Sequence, residues 1–429
     1  MRTTGLLYGM LRKIKHTPPF SWPFEAAQNR LKTNIILERD QQIQQLIDRN
    51  DEWAREVRQL RRQDEPLHIV WPVSKKDLIA AVPGSKKKVA KSHSNKDRLT
   101  IAWIIPPMGD VSGGHTSILR VIAGLEARGH TCVIYIYDPE HSSSKEIITE
   151  NLKKYPRVAA NVIYDFTTIE PCDVLFATSW HTAYPVFNSD AAPDKYYFVQ
   201  DFEPFFDPVG SYSTLAENTY RFGLHGITLG AWMKDRLEDE YGMECDNFDL
   251  AVTGGEYHLE NRRKRKKIVF YARPVTPRRG FELGILALEV FHKRYPEYEI
   301  HLMGWDVSRY DIPFTYVNHG IIDIPSLNKL YNECAAGLVL SFTNMSLLPL
   351  EMMASGCIPV VNEAKCTTSV GYKDFITYAL PTPSELADGL GIAIEKANET
   401  AYIEKMSHYT DAFTWDALND SLDTLIRKS

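Results

Sequence analysis

The residues with the clearest chemical potential lie between Ser341 and Val361, where an apolar run is followed by a short polar loop, Glu351 and a second apolar run. This order predicts a buried strand, a helix that carries Glu351, and the next strand. The free N–H groups at the start of such a helix attract anions, and a carboxylate one or two turns further on can accept hydrogen bonds from a pair of sugar hydroxyl groups. The stretch fits a nucleotide, with phosphate at the helix start and ribose on Glu351. It equally fits an ordinary strand–helix unit in which Glu351 is solvated.

Three arginines form a second candidate group. Arg273 directly follows the apolar run 268–272, and Arg278 and Arg279 precede Gly280, where the next helix is predicted to open. Doubly wound domains bind ligands at the carboxyl ends of their strands, which is where this order places the guanidinium groups. Arginine makes bidentate, charge-assisted bonds with phosphate and stays protonated. The group is a candidate diphosphate site, and a solvated basic turn is the alternative.

Gly113 and Gly114 form a third candidate, between the apolar run 101–105 and a predicted helix. Two glycines let backbone N–H groups approach a diphosphate without a Cβ clash. The pair lacks the G-x-G-x-x-G spacing of a dinucleotide fingerprint, and the sequence contains no G-x-x-x-x-G-K-[ST] P-loop. The signal is therefore weak by itself, and ATP hydrolysis through a P-loop is not expected.

Apolar runs that alternate with helical periodicity indicate the elements that must position these residues. Buried parallel strands have continuous apolar sequences. Runs of this kind occur in two series, at 101–105, 132–137, 174–177, 196–200 and 227–229, and then at 268–272, 299–303, 314–317, 338–341, 358–362 and 376–380. Two successive strand–helix series predict an α/β protein with two doubly wound, Rossmann-like domains that face a cleft.

The domain boundaries are predicted from the same series. Residues 1–95 are expected to form an α-helical N-terminal extension and linker, residues 96–235 the first Rossmann-like domain, and residues 236–405 the second. Residues 406–429 are expected to form a terminal helix that crosses back to the first domain.

Two stretches of the extension suggest contacts. Residues 1–24 mix Leu and Ile with Arg and Lys, as in a basic amphipathic helix that rests on an anionic membrane surface; packing on the protein is the alternative. Residues 34–62 repeat apolar positions at steps of three and four, so they predict a long helix that packs on the chain or forms a homodimer contact.

Composition excludes several classes of function. The 429 residues are too many for one ordinary core, and the net charge of −6 argues against non-specific nucleic-acid binding. The six cysteines are scattered without a C-x-x-C pair, so neither a disulfide framework nor a zinc site is predicted.

Location follows from what the sequence lacks. No apolar run reaches the ~20 residues that span a bilayer, and the N-terminus lacks a signal-peptide pattern. A cytoplasmic location is expected, with the inner face of the cell membrane as an open alternative.

The candidate groups together resemble motifs of GT-B glycosyltransferases, especially the large retaining family that includes glycogen synthases and mannosyltransferases. Residues 271–280 are similar to that family's G-R-L-x-x-x-K-G segment, and residues 341–361 to its E-G-F-G-x-x-x-x-E-A-M-A-x-G-x-P-V-V. The glycine pair and residues 125–130 resemble its N-terminal glycine loop and L-x-x-x-G-H helix end. The resemblance covers residues 99–420. Residues 197–206 are similar to a segment of bacterial rhamnosyltransferases that build cell-surface polysaccharide or S-layer glycan.

The resemblance implies roles for the polar residues of the second domain. Glu351 would bind the donor ribose. Arg273 and Arg279 would neutralise the donor diphosphate and support its departure. One extra residue separates Arg273 from Gly280 relative to the family pattern, so Arg278 would share that role.

The resemblance also implies that two loops surround the donor. Gly113 and Gly114 would line the diphosphate from the first domain. The loop formed by Asn344, Met345 and Ser346 would contact the donor sugar or phosphate with backbone N–H groups.

Departures from the family pattern point to the sugar and to the acceptor. Thr343 stands where the family has the first Glu of its pair, which implies a different sugar or pose, and Thr178 stands where a family His contacts the reacting sugar. His181 matches a second family His and is expected to face the acceptor, unless it is a packed residue. Asp201 and Glu203 are candidates for a base or for binding acceptor hydroxyl groups, and turn capping is the alternative.

The implied activity is that of a hexosyltransferase. It would move L-rhamnose from dTDP-β-L-rhamnose to a rhamnose-containing glycan or lipid-linked saccharide, with retention and with the departing phosphate oxygen taking the proton. The sequence has no D-x-D carboxylate pair at a strand end, so no metal and no other cofactor are expected, and arginine charge would replace the metal. Another nucleotide-sugar donor, a nucleotide-sugar epimerase of the same architecture and a non-catalytic scaffold remain as alternatives.

Overall fold

A computed structural model describes residues 69–83, 96–109, 112–253 and 255–428. The elements below belong to one compact unit that begins at Trp71. The amphipathic stretch 1–24, the long helix predicted over 34–62 and most of the predicted linker lie outside the described residues, so the membrane and dimer contacts stay predictions.

The first sheet is parallel and has seven strands in the described part of the chain, in the order β3-β2-β1-β4-β5-β6-β7. Its strands are β1 (Thr100–Ile105), β2 (Thr131–Ile136), β3 (Asn161–Ile163), β4 (Val174–Ala177), β5 (Asp194–Val199), β6 (His225–Leu229) and β7 (Cys245–Phe248). The order reverses between β1 and β4, as in a doubly wound domain. We call this sheet with its helices the first domain.

The second sheet is also parallel, with six strands among the described residues in the order β10-β9-β8-β11-β12-β13. Its strands are β8 (Lys267–Tyr271), β9 (Glu299–Met303), β10 (Tyr316–Gly320), β11 (Ala336–Val339), β12 (Ile358–Asn362) and β13 (Thr377–Ala379). The order reverses between β8 and β11. This sheet with its helices is the second domain, and together the two domains have the GT-B architecture.

Helices cover both sheets. In chain order they are α1 (Lys75–Ala80), α2 (Gly113–Ala127), α3 (Lys145–Leu152), α4 (Trp180–Asn188), α5 (Ser211–Thr219), α6 (Ala231–Tyr241), α7 (Phe281–Arg294), α8 (Ile324–Glu333), α9 (Leu348–Ala354), α10 (Lys365–Thr368), α11 (Pro383–Lys396), α12 (Thr400–Tyr409) and α13 (Trp415–Lys428). Among the described helices, none combines the length and the hydropathy that a bilayer crossing requires.

Most predicted strands occur where continuous apolar runs are buried, but the strand predicted at 314–317 lies at Tyr316–Gly320 and has no buried residue. Every residue of β4 and of β11 is buried, because helices cover both faces of a parallel sheet. Strands β3 and β7 have no counterpart in the sequence prediction. They are short edge strands with exposed polar residues, Asn161 in β3 and Asn247 in β7, so they lack the apolar run on which the prediction depends.

Three of the predicted domain boundaries differ from those in the structure. The boundary at 235/236 falls inside α6, and β7 pairs with β6, so the first sheet extends to residue 248. The boundary at 405/406 falls inside α12. Residues 71–83, assigned to the extension, contact the first domain: Ser74 N donates to the Tyr137 hydroxyl (2.9 Å) and Asn188 Nδ2 donates to the Asp77 carbonyl (3.0 Å).

The chain passes between the two domains twice. The first passage follows β7, and the second precedes α13. The passages lie side by side, because Val252 N donates to Phe413 O (2.9 Å) and Val252 forms a parallel bridge with Thr414.

The second passage brings α13 onto α2 of the first domain. Arg128 donates to Asp420 at 2.6 Å and His130 Nε2 lies 2.6 Å from Asp423 Oδ1. The chain end that follows the second sheet is thus fixed to the first domain.

Helix α7 packs closely on β8, the strand that precedes the arginines. A Cβ on Gly284 would lie 2.1 Å from Cζ of the buried Phe270 ring. Helix propensity alone would make Gly284→Ala stabilising by about 1 kcal/mol. Because overpacking a core costs roughly 1–3 kcal/mol, we expect the variant to unfold at a lower temperature than the parent in a calorimetric scan.

A second substitution checks the cause. Phe270→Leu should recover part of the loss when combined with Gly284→Ala, since it removes the ring that the methyl group meets. Gly255→Ala is the control, because nothing lies within 4 Å of a Cβ at that position. Equal melting temperatures for Gly284→Ala and Gly255→Ala would contradict the close packing.

Candidate active site

The loops that carry the predicted site residues leave the two sheets where the strand order reverses. Gly113 and Gly114 follow β1 and His181 follows β4, the central pair of the first sheet. In the second sheet, the arginines follow β8, and the loop with Glu351 follows β11. Such crevices outside the carboxyl ends of the strands are where open α/β sheets bind ligands.

Two of the three arginines are held within the second domain. Arg273 donates from Nε to Thr276 Oγ1 (3.1 Å) and from a terminal nitrogen to the Tyr271 hydroxyl (3.2 Å). Arg279 donates to Ser341 Oγ (2.7 Å). All three hydrogen-bond partners are neutral hydroxyl groups, so these bonds hold the guanidinium groups at the end of β8 without neutralising their charge.

The third arginine extends to the first domain. Arg278 Nε lies 3.4 Å from Asp201 Oδ2, an ion pair without hydrogen-bond geometry. The guanidinium carbon of Arg278 lies 4.0 Å from the centre of the Phe206 ring, within cation–π range. Sequence reasoning placed Arg278 and Asp201 on opposite sides of the site, and the structure brings them into contact.

Asp201 is a buried carboxyl group at the end of β5. Burial raises its pKa above the ordinary value, and Arg279, then Arg278, oppose that rise. The Thr343 side chain also favours the ionised form. Thr343, the position where the family has a carboxylate, thus faces Asp201 of the other domain.

The loop after β11 is fixed by paired side-chain contacts. Asn362 accepts from Ser341 N (2.7 Å) and donates to Ser341 O (2.8 Å), and Ser341 Oγ donates to Asn344 O. Both donors of the Asn344 amide are occupied by the first domain: Nδ2 donates to Gln200 O (2.8 Å) and to Leu229 O (3.0 Å). The predicted donor residue Asn344 is therefore a contact between the domains through its side chain.

The other two residues of that loop differ from Asn344. Met345 is buried, which makes it a packing residue by its side chain. Ser346 has a buried hydroxyl group without a hydrogen-bond partner, next to the start of α9.

Glu351 lies in α9 among charges from both domains. Burial raises its pKa to about 7; Arg120 opposes the rise, Glu256 adds to it, and a hydrogen bond from Tyr257 opposes it. Arg120 of α2 forms an ion pair with Glu256. Glu351 is therefore close to its titration midpoint at neutral pH, and a hydroxyl donor would favour its ionised form.

The glycine pair opens α2. A Cβ at Gly113 would meet nothing within 4 Å, so this face is open. Gly114 contacts the first-domain strand end, because Gln200 Nε2 donates to Gly114 O (3.2 Å).

His181 begins the helix after β4 and stacks on Trp180, with ring centroids 3.9 Å apart. Burial lowers the pKa of His181 to about 4, so its imidazole is neutral at physiological pH. Thr178, which replaces the family His, donates to Ile104 O (2.8 Å) and is satisfied inside the first domain.

Glu203 is buried and fully engaged. Its two carboxylate oxygens accept from Trp180 N (2.8 Å) and from the Tyr197 hydroxyl (2.8 Å). Burial raises its pKa to about 7, against those two hydrogen bonds. These contacts fit the alternative reading of Glu203 as a capping residue, here for the start of α4.

Sequence reasoning missed several polar residues of the site. Tyr257 and Glu256 lie in the passage after β7, which has no periodic pattern, and Arg120 lies inside α2, beyond the glycine pair on which the prediction rested. Gln200 follows β5 directly, so its position at a strand end was the one available signal.

Comparison with known proteins agrees with the fold and the motifs. Residues 266–391 match the family model described as WsaF, C-terminal domain. The O-antigen biosynthesis protein RfbC of Myxococcus xanthus is 31% identical over 327 residues, which are 72% of this chain and 26% of RfbC. The chain thus spans about a quarter of the length of that relative.

Solved structures share the architecture at low sequence identity. TarM of S. aureus, solved with UDP among its ligands, has a TM-score of 0.61 at 10% identity, covering 76% of this chain and 99% of TarM. A glycosyltransferase of Rickettsia africae has a TM-score of 0.56 at 13% identity, covering 78% of this chain and 99% of that protein. Together these matches show that the chain has the GT-B fold and that its second domain, which carries the arginines and Glu351, resembles the C-terminal domain of WsaF.

Proposed function

We propose that the chain is a rhamnosyltransferase of cell-surface glycan synthesis, acting on S-layer glycan or a similar polysaccharide. It transfers L-rhamnose from dTDP-β-L-rhamnose to a rhamnose-containing acceptor, with retention and without a divalent metal. The observation that carries the proposal is the placement of Arg273 and Arg279 after β8 beside the loop that leads to Glu351, at the reversal point of the second sheet.

The arginines supply the electrostatic part of the reaction. Arg273 and Arg279 are each held by neutral partners, so they are pre-oriented and need little reorganisation when the diphosphate carries more charge. Such fixed charge at a developing anion commonly contributes several kcal/mol to lowering a barrier. This assigns the departure of the nucleoside diphosphate to these two side chains.

Glu351 supplies the ribose contact. Its raised pKa of about 7 reflects a buried carboxyl group that lacks enough donors. Two ribose hydroxyl groups would provide them, and their hydrogen bonds stabilise the carboxylate. Nucleotide binding and ionisation of Glu351 are then linked.

The acceptor side uses neutral groups. His181 has a pKa of about 4, so its imidazole can accept a hydrogen bond from an acceptor hydroxyl group at neutral pH. In the proposed front-face reaction, the acceptor hydroxyl attacks the anomeric carbon, the bond to the diphosphate breaks, and the departing phosphate oxygen takes the proton. No carboxylate nucleophile is required, in agreement with the internal contacts of Glu203.

Relatives support the glycan class, and the finer details rest on the sequence motifs. RfbC is named for O-antigen biosynthesis, and TarM was solved with UDP. The rhamnosyltransferase-like residues 197–206 and the Thr343 replacement favour dTDP-β-L-rhamnose over the family's usual sugars. The acceptor is a glycan or lipid-linked saccharide, reached in the cytoplasm at the inner membrane face, where the basic stretch 1–24 would bind lipid.

Donor choice is tested with a panel of nucleotide sugars. We expect dTDP-β-L-rhamnose to raise the melting temperature, since a ligand of the native state stabilises it, and to be consumed only when a rhamnoside acceptor is present. Arg279→Gln should weaken dTDP binding ~10–100-fold, because it removes a charge-assisted bond to phosphate. Calorimetric titration with dTDP measures that loss.

Arg263→Gln is the matched control, since Arg263 is exposed and precedes β8, at the opposite end of that strand from the three arginines. Turnover of a different nucleotide sugar alone would reject rhamnose as the donor sugar. Product formed from the nucleotide sugar without an acceptor would instead favour an epimerase.

Proton release tests the ribose contact. Free Glu351 has a pKa of about 7, and ribose hydroxyl donors lower it, so dTDP binding at pH 7 should release roughly half a proton. Because binding releases a proton, dTDP affinity should rise as the pH increases through the pKa of Glu351 in the nucleotide-free protein. Titration calorimetry in buffers of different ionisation heat measures the release.

Glu351→Gln should abolish the release while the folded state persists, because Gln is isosteric and does not titrate. The same proton release in Glu351→Gln and in the parent would assign it to another group.

A further inference from the structure

The contacts of Arg278 differ in kind from those of its two neighbours. Arg273 and Arg279 donate to neutral groups of the second domain. Arg278 instead lies 3.4 Å from the Asp201 carboxylate and 4.0 Å above the Phe206 ring, both of the first domain. Its side chain is 28% exposed and that of Asp201 is 12% exposed, so the pair is largely shielded from solvent.

A second contact between the domains lies one loop away. The side-chain amide of the buried Asn344 donates both of its N–H groups to backbone carbonyls at the ends of β5 and β6. Because a primary amide has two N–H donors, the Asn344 side chain has none left for a donor sugar. Arg278 and Asn344 thus both contact the first domain, although sequence motifs would assign them to the nucleotide sugar.

We propose that Arg278 and Asn344 are positioning residues that hold the cleft closed, with Asp201, Phe206 and the carbonyls of Gln200 and Leu229 as their first-domain partners. We call this set the interdomain clasp. The inference rests on the proposed function in one respect, that closure aligns the acceptor with the donor sugar. It reassigns Arg278 and Asn344 from donor binding to closure, and Asp201 from a base to the partner of Arg278.

The clasp is linked to the donor site by the backbone. Arg278 and Arg279 share one 3₁₀ turn, Pro277–Arg279. Phe342 N donates to Arg278 O (3.2 Å), which ties this turn to the loop that carries Asn344. One backbone turn therefore presents Arg279 to the diphosphate and Arg278 to Asp201, so the clasp and the donor site are adjacent but use different side chains.

The decisive experiment separates nucleotide binding from transfer in the full-length protein. Arg278→Gln should leave the dTDP dissociation constant within a factor of about two of the parent and lower kcat/KM for the acceptor about tenfold. Arg279→Gln is the comparison for a true phosphate ligand, and Arg263→Gln is the surface control. If Arg278→Gln weakens dTDP binding as much as Arg279→Gln does, Arg278 is a donor ligand and the clasp is wrong.

A double-mutant cycle tests whether Asp201 is the partner of Arg278. Asp201→Asn keeps the shape of the side chain and removes the charge. If the ion pair acts as a unit, Asp201→Asn combined with Arg278→Gln should reduce kcat/KM no more than either single change. Losses that multiply would show that the residues act independently. Arg278→Lys keeps the charge without the planar group, so it should restore part of the transfer rate.

Small-angle scattering of the nucleotide-free protein tests closure without reference to activity. Arg278→Gln and Asn344→Ala should each increase the radius of gyration relative to Arg263→Gln, with unchanged circular dichroism. An unchanged radius in both variants rejects the clasp. Absence of dTDP binding by the parent protein would reject the proposed donor, and the scattering result would still decide the clasp.

Discussion

One side chain connects the working edges of the two sheets. The Asn344 amide donates to the carbonyls of Gln200 and Leu229, where β5 and β6 of the first sheet end. Its own loop is fixed by the Ser341–Asn362 pair at the end of β11. Strand ends have unpaired carbonyls that need a donor when they are buried. Satisfying two of them from the opposite domain sets the distance between the sheets, and the arginines, Asp201 and the glycine loop take their places around that contact.

Three buried carboxyl groups of the site differ in the donors and charges that surround them. Glu203 has both oxygens occupied within the first domain, Asp201 faces two guanidinium groups, and Glu351 faces Arg120, Glu256 and Tyr257. Desolvation raises the pKa of all three, and the local donors and cations decide how far. A carboxylate at position 343 would have added a fourth charge opposite Asp201. Threonine there avoids like-charge repulsion across the cleft, which gives a structural reason for the departure from the family pattern besides the identity of the sugar.

Sequence could predict the elements that are buried on both faces, because continuous apolar runs such as β4 and β11 leave little choice of structure. It could not predict β3 and β7, since edge strands keep one side in solvent and have no such run. The same distinction separates the site residues that sequence could predict from those that it could not. The prediction could place Arg273, Arg279 and Glu351 at one edge of the second sheet, because each follows a strand within one domain. The pairing of Arg278 with Asp201 could not be predicted, because it depends on how the two sheets meet, and no local pattern records that arrangement. Tyr257 and Arg120 were missed for the same reason.

The paired passages between the domains have a mechanical consequence. Two chain segments joined at Val252 and Phe413–Thr414 leave the domains fewer relative arrangements than a single linker would. A single linker would allow the domains to twist and slide as well as swing. The attachment of α13 to α2 by Arg128 and His130 reduces the number of these arrangements further. The entropy of reassembling the cleft after each turnover is correspondingly small, so the C-terminal helix influences the recurrence of the catalytic geometry without touching a substrate.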